Sequence, residues 1–123
     1  ESLGASPIIK VSRTSKNGAI SYEELTDHHL DAQIIINTTP IGMDKDSENC
    51  PIDENIEVNH NMLVCDIVYN PHETKFIKWA KCNNLDVVYG IDMLINQAIQ
   101  GFYIWTGIKV DESNDLKNIL KGL

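Results

Sequence analysis

Ile34-Ile35-Ile36 stand together inside Ala32-Gln33-Ile34-Ile35-Ile36-Asn37-Thr38, with no polar residue between them. β-Branched side chains favour extended backbone. A strand that is apolar on both faces belongs in a sheet covered on both sides, the situation of parallel α/β folds. Pro40 and Gly42 end the run. Met62-Leu63-Val64-Cys65-Asp66-Ile67-Val68-Tyr69 repeats the pattern, and Asn70-Pro71 stops it.

The remaining punctuation fits alternating strands and helices. Ile8 to Ser12 reads as a buried strand, followed by a polar turn from Arg13 to Gly18 and a very short strand at Ala19 to Ser21. Ser21 and Glu24 have the spacing of a capping box. Residues 44–61 read as a loop with one helical turn. Thr74 caps an amphipathic helix whose apolar face is Phe76, Ile77, Trp79 and Ala80, and Asn83-Asn84 ends it. Asp86 to Tyr89 reads as a short strand closed by Gly90. Ile91 to Trp105 is the longest helical stretch, with Met93, Leu94, Ala98, Phe102 and Trp105 recurring at helical steps, and Thr106-Gly107 stops it. Ser113 caps a last helix with Leu116, Ile119 and Leu120 inward.

Composition narrows the partners. The formal net charge is −8, which argues against a nucleic-acid surface, since that needs a basic face. No apolar run approaches the roughly 20 residues of a membrane helix, and the N-terminus has neither the basic region nor the apolar core of a signal peptide. Cys50, Cys65 and Cys82 are widely spaced and odd in number, so they read as reduced thiols, with a cytoplasmic location expected. Cys65 reads as a core residue. His28, His29, His60 and His72 form no helical ligand pair, and no metal is expected.

Parallel sheets bind ligands outside the carboxyl ends of their strands. Architecture alone therefore directs attention to Ser12-Arg13-Thr14, Asn37-Thr38-Thr39-Pro40, Tyr69-Asn70-Pro71 and Gly90. The first group, extended to Lys16, holds two cations and three hydroxyls and no acid. At the end of a nucleotide-binding strand, an Arg accommodates the 2′-phosphate that distinguishes NADP, whereas an acid bonds the ribose of NAD. The same residues also read as a solvated basic turn. Hydroxyls and amides at 37–40 suit a nicotinamide ribose or a pyrophosphate, or an ordinary strand-to-loop turn. Gly90 permits close backbone approach to a flat ring. Gln97 lies on the Met93 side of the long helix among apolar neighbours. Buried there, its amide needs partners from the protein, water or a ligand.

Three segments together resemble the shikimate dehydrogenases. They are Asn37-Thr38-Thr39-Pro40-Ile41-Gly42-Met43, then Asp66-Ile67-Val68-Tyr69-Asn70-Pro71 with Thr74 and Phe76, then Gly90-x-x-Met93-Leu94-x-x-Gln97-Ala98 with Phe102 and Trp105-Thr106-Gly107. The resemblance covers Ile8 to Val110. It implies reversible reduction of 3-dehydroshikimate to shikimate with NADPH, a step toward chorismate and the aromatic amino acids. It places the 2′-phosphate on Ser12, Arg13 and Thr14 with Lys16 assisting, the cofactor channel at Thr38, Thr39 and Pro40, the nicotinamide beside Ile67, Gly90 and Met93, and the substrate at Tyr69 and Gln97.

The departures set the remaining expectations. No G-x-G-x-x-G run is present. The catalytic Lys and Asp of such enzymes, and their carboxylate-binding serines, belong to a preceding domain. The segment between Thr14 and Ala19 is shorter than the helical connection usual in the family. The expected fold is a partial Rossmann-like α/β domain, residues 1–123, with a mostly parallel sheet and flanking helices but without the first strand and its glycine-rich loop. Its C-terminal helices would pack on the absent substrate domain. The chain alone is expected to be inactive and to self-associate through exposed apolar surface. A quinate-accepting relative and a non-catalytic binding module are the alternative readings.

Overall fold

Three parallel strands in the order β1-β2-β3 form the sheet: β1 Ile34–Asn37, β2 Leu63–Asp66 and β3 Asp86–Val88. Helix α1, Lys75–Cys82, connects β2 to β3, and helix α2, Gly90–Thr106, follows β3 directly. The structure is a computed structural model that describes residues 4–27 and 31–110. The expected helix after Ser113 lies outside the described residues. Among the described residues no helix is long and apolar enough to cross a membrane.

The register decides which side chains share a face. Ile35, Val64 and Val87 are paired across the sheet, and Ile36, Cys65 and Val88 form the next row on the opposite face. Helix α1 packs against β2 and β3. Its buried Phe76, Trp79 and Ala80 join Met62, Val64 and Leu85 in one cluster. Each large side chain so buried contributes about 1.5–3 kcal/mol. Thr74 caps α1 as expected, its hydroxyl accepting from Ile77 N at 3.2 Å. The loop between β1 and β2 closes over the other side of α1. Trp79 Nε1 donates to the Glu54 carbonyl at 3.1 Å, Lys75 pairs with Glu54 at 2.6 Å, and Ile52, Ile56 and Cys50 pack against the cluster. Burial there pushes the Cys50 thiol up from its ordinary range, which favours the neutral form.

The opposite face differs from expectation. Ile34 and Ile36 are 54% and 56% exposed, Val88 is also exposed, and Cys65 is only half-buried rather than a core residue. The isoleucine run is apolar on both faces, yet among the described residues α1 covers one of them. The N-terminal segment differs as well. Ile8, Ile9 and Lys10 are exposed, and residues 8–12 form no strand of the sheet. Instead Val11 and Ile20 make one isolated parallel bridge, with Ser12 N donating to Ile20 O and Ile20 N to Lys10 O. One bridge leaves most of the segment's backbone groups unpaired by the sheet, so local β-propensity alone does not bury it. The capping box is present and opens a short 3-10 turn at Glu24–Asp27. Ser21 N donates to Glu24 Oε2 at 2.6 Å, and Glu24 N donates to Ser21 Oγ at 3.2 Å.

Helix α2 buries Gly90, Ile91 and Ile95. Met93, the first residue of the expected recurrence, is 44% exposed, and Trp105 is 87% exposed. The anchoring face is therefore not the one that the periodicity suggested. It is set by the contact of the helix's first residue with the end of β2, and the side chains from Phe102 to Trp105 are exposed. Gly107, at φ 71°, closes the helix with its N–H donating to Tyr103 O at 2.8 Å.

Candidate functional site at the carboxyl edge of the sheet

Parallel pairing carries the ends of β1 and β2 to the same edge, with Asn37 opposite Asp66. Both are 3% exposed. Buried polar groups of this kind require partners, and here each atom has them. Asn37 Nδ2 donates to Asp66 Oδ1 and to the Ile41 carbonyl, both at 3.0 Å. Asn37 Oδ1 accepts from Thr39 N at 3.0 Å and from Thr39 Oγ1 at 2.7 Å. Asp66 Oδ1 also accepts from Val68 N at 3.0 Å, and Asp66 Oδ2 accepts from Thr74 Oγ1 at 2.6 Å. Thr39 Oγ1 in turn accepts from Ile41 N at 3.2 Å. The result is one continuous network that joins the exit of β1, the exit of β2 and the cap of α1.

Gly90 adds α2 to this junction by space rather than by hydrogen bonds. A Cβ at Gly90 would lie 2.3 Å from the Val68 carbonyl oxygen, 2.5 Å from its carbon and 2.7 Å from the Ile67 oxygen. The helix start and the β2 exit are in backbone contact. On the flank, His72 stacks on Tyr89 with ring centroids 4.7 Å apart. Gly42, at φ 101°, sits against the Thr74 side chain, where a Cβ would meet Thr74 carbons at 3.2 Å.

The residues singled out from sequence fall into two groups. Thr38, Thr39, Pro40, Ile67, Tyr69 and Gly90 gather at the carboxyl edge, with Met93 one turn along α2. Thr38, Pro40, Tyr69 and Met93 are exposed, whereas Thr39 and Ile67 are half-buried. The Thr39 hydroxyl is committed within the network. Gln97 is exposed rather than set among apolar neighbours, because α2 turns Ile91 and Ile95 inward. Ser12, Arg13, Thr14 and Lys16 lie in a separate loop held by its own bonds, Lys16 N to Thr14 O at 2.7 Å and Ala19 N to Lys16 O at 3.1 Å. Arg13, Thr14 and Lys16 are exposed and Ser12 is half-buried.

Sequence reading recognised Asn37 and Asp66 only as parts of longer motifs. The available signal was an acid inside the apolar run 62–69, with a hydroxyl eight residues on at Thr74. A carboxylate in a strand that must be covered needs donors, and only register reveals that Asn37 is one of them.

The sequence model of the shikimate 5′-dehydrogenase C-terminal domain matches residues 90–117. A shikimate dehydrogenase (NADP(+)) from Clostridium beijerinckii is 43% identical over 91 residues, covering 74% of this chain and 33% of that protein. Among solved structures, a chorismate mutase/shikimate 5-dehydrogenase fusion protein from Clostridium acetobutylicum superposes with a TM-score of 0.84 at 31% identity, covering 96% of this chain and 45% of that one. Shikimate 5-dehydrogenase from Thermus thermophilus, solved with NADP(H) and shikimate, gives a TM-score of 0.71 at 28% identity, covering 85% of this chain and 38% of that one. The chain thus spans less than half the length of each of these relatives.

Proposed function

We propose that the chain belongs to the shikimate dehydrogenase family and is the C-terminal, NADP-binding part of an enzyme that reversibly reduces 3-dehydroshikimate to shikimate, a reading that its similarity to those enzymes supports. The observation that carries this reading is the junction at the carboxyl edge. There the ends of two parallel strands and the start of α2 are tied together by Asn37, Asp66 and Gly90. Parallel sheets bind dinucleotides at this edge.

The donor chemistry of the chain fits the phosphate end of NADP. Ser12, Arg13, Thr14 and Lys16 offer cations and hydroxyls with no carboxylate among them. Arg13 would hold the 2′-phosphate by a forked contact. Thr38, Thr39 and Pro40 line the channel, and Ile67, Gly90 and Met93 flank the nicotinamide. Tyr69 and Gln97 reach the substrate from their exposed positions. When bound, NADPH supplies the hydride to the ketone carbon. The acid that protonates the ketone oxygen is assigned to the substrate domain of the enzyme, because no residue of this chain stands out for that role. In this reading residues 1–123 belong to one nucleotide-binding domain, α2 packs on the substrate domain, and the enzyme works in the cytoplasm. The exposed Ile34, Ile36, Phe102 and Trp105 favour self-association of the chain by itself.

The enzyme that contains this chain is expected to reduce NADP in the presence of shikimate. Absence of that hydride transfer sinks the proposal. Within it, Arg13→Asp removes charge-assisted bonds worth about 1.5–3 kcal/mol and places an acid beside the phosphate, so KM for NADP rises by about 100-fold. KM for NAD, which lacks that phosphate, stays within about threefold. Equal changes for the two cofactors remove Arg13 from the phosphate site.

A further inference from the structure

Asp66 is the most deeply embedded acid at the edge described above. Its carboxyl group receives donors from three pieces of the fold: the end of β1 through Asn37, 29 residues away, the exit of β2 through Val68 N, and the cap of α1 through Thr74. Burying a carboxylate is costly, and well-packed apolar residues are often equal or better for stability alone. What the carboxylate supplies is direction, because each donor has to point at it.

The segments that it orients are those next to the proposed nicotinamide end. Asn37 has both amide hydrogens and its carbonyl engaged, so it cannot turn. Its orientation fixes Thr39 and the Ile41 carbonyl, and with them the turn at Thr38-Thr39-Pro40. Val68 N on Asp66 Oδ1 fixes the backbone between Ile67 and Tyr69. Gly90 rests on that same backbone. Among the described residues, the Ser12–Lys16 loop shares no bond with this network.

We propose that Asp66 is a positioning residue for hydride transfer, acting through Asn37, Thr74 and the Val68 amide to hold the Thr38–Pro40 turn, the Ile67–Tyr69 segment and the start of α2 in one arrangement. The assignment rests on the functional reading given above. It separates the two ends of the cofactor site: Asp66 acts on the reacting end and leaves the adenosine-phosphate end alone.

The test uses the full enzyme with three variants. Asp66→Asn keeps the shape and the acceptor for Asn37 and Val68 N but loses the acceptor for the Thr74 hydroxyl. Thr74→Val removes that hydroxyl from the other side, and Thr74→Ser returns it. Expected results are a fall in kcat of about 10-fold or more for Asp66→Asn and Thr74→Val, and recovery of most of it in Thr74→Ser. Affinity for adenosine 2′,5′-bisphosphate, which reports the Arg13 end, stays within about twofold in all three. Loss of fragment affinity in parallel with kcat in the folded variants shows a merely structural role and overturns the proposal. Unchanged kcat in Asp66→Asn overturns it as well. A wild-type enzyme that fails to reduce NADP overturns the functional reading and this inference together. An active wild type with indifferent variants overturns this inference alone.

Discussion

Gly90→Ala lowers stability by about 3 kcal/mol, and a thermal melt of the protein shows a midpoint roughly 10 °C lower. The reason is spatial. The Gly90 backbone is helical with no positive φ, so alanine is conformationally welcome there, and in an open helix it would stabilise by about 0.5–1 kcal/mol. What forbids it is the Val68 carbonyl group, whose oxygen lies 2.3 Å from the position a Cβ would take. That neighbour is backbone at the end of β2 and cannot swing aside like a side chain. The helix has to retreat or the strand exit has to bend, and either movement disturbs Asp66, which bonds Val68 N. Gly101 is the internal control. It lies in the same helix with nothing within 4 Å of its Cβ position, so Gly101→Ala is neutral or raises the midpoint by a few degrees, roughly 0.5–1 kcal/mol. Similar melting shifts for the two variants would contradict the close approach at Gly90.

Asp66→Ala is expected to cost about 4 kcal/mol, a large share of a domain's typical stability. Alanine removes the acceptor of the Asn37 amide, the Val68 N–H and the Thr74 hydroxyl at once. At 3% exposure, water does not readily replace it, and each stranded donor carries a desolvation cost of about 1–3 kcal/mol. Partial relaxation and a turned Thr74 hydroxyl recover part of that sum. Urea unfolding checks the value. The midpoint should fall with the slope unchanged, the signature of lost native stability rather than an altered unfolded state. A loss below about 1 kcal/mol would mean that the carboxyl group is not a hub of the network.

The two substitutions meet at one piece of backbone, Ile67-Val68. Gly90 constrains it from the helix side by repulsion, and Asp66 constrains it from the sheet side by attraction. A site held in this way is pre-organised, and such positions are where small displacements reduce turnover most.

Much of the fold was legible in local sequence. Apolar runs ended by Pro and Gly located β1 and β2, and Ser21, Thr74 and Gly107 marked helix ends that the structure reproduces. Those signals depend on contacts within a few residues, and short stretches report them directly. The motif segments at 37–43, 66–71 and 90–98 likewise carried the resemblance to the shikimate dehydrogenases, because strand-end chemistry is written in contiguous residues. Other properties arose only from long-range pairing. Asn37 and Asp66 are 29 residues apart, and parallel register alone sets them side by side. The outward direction of Gln97 and Met93 follows from the contact of Gly90 with Val68, which no helical periodicity contains. The exposed row of Ile34, Ile36 and Val88 follows from which face α1 occupies. Local chemistry thus settles where elements begin and end, whereas the packing of distant segments decides which side chains a site can use. Those choices depend on distances between residues that the chain's order does not encode one stretch at a time.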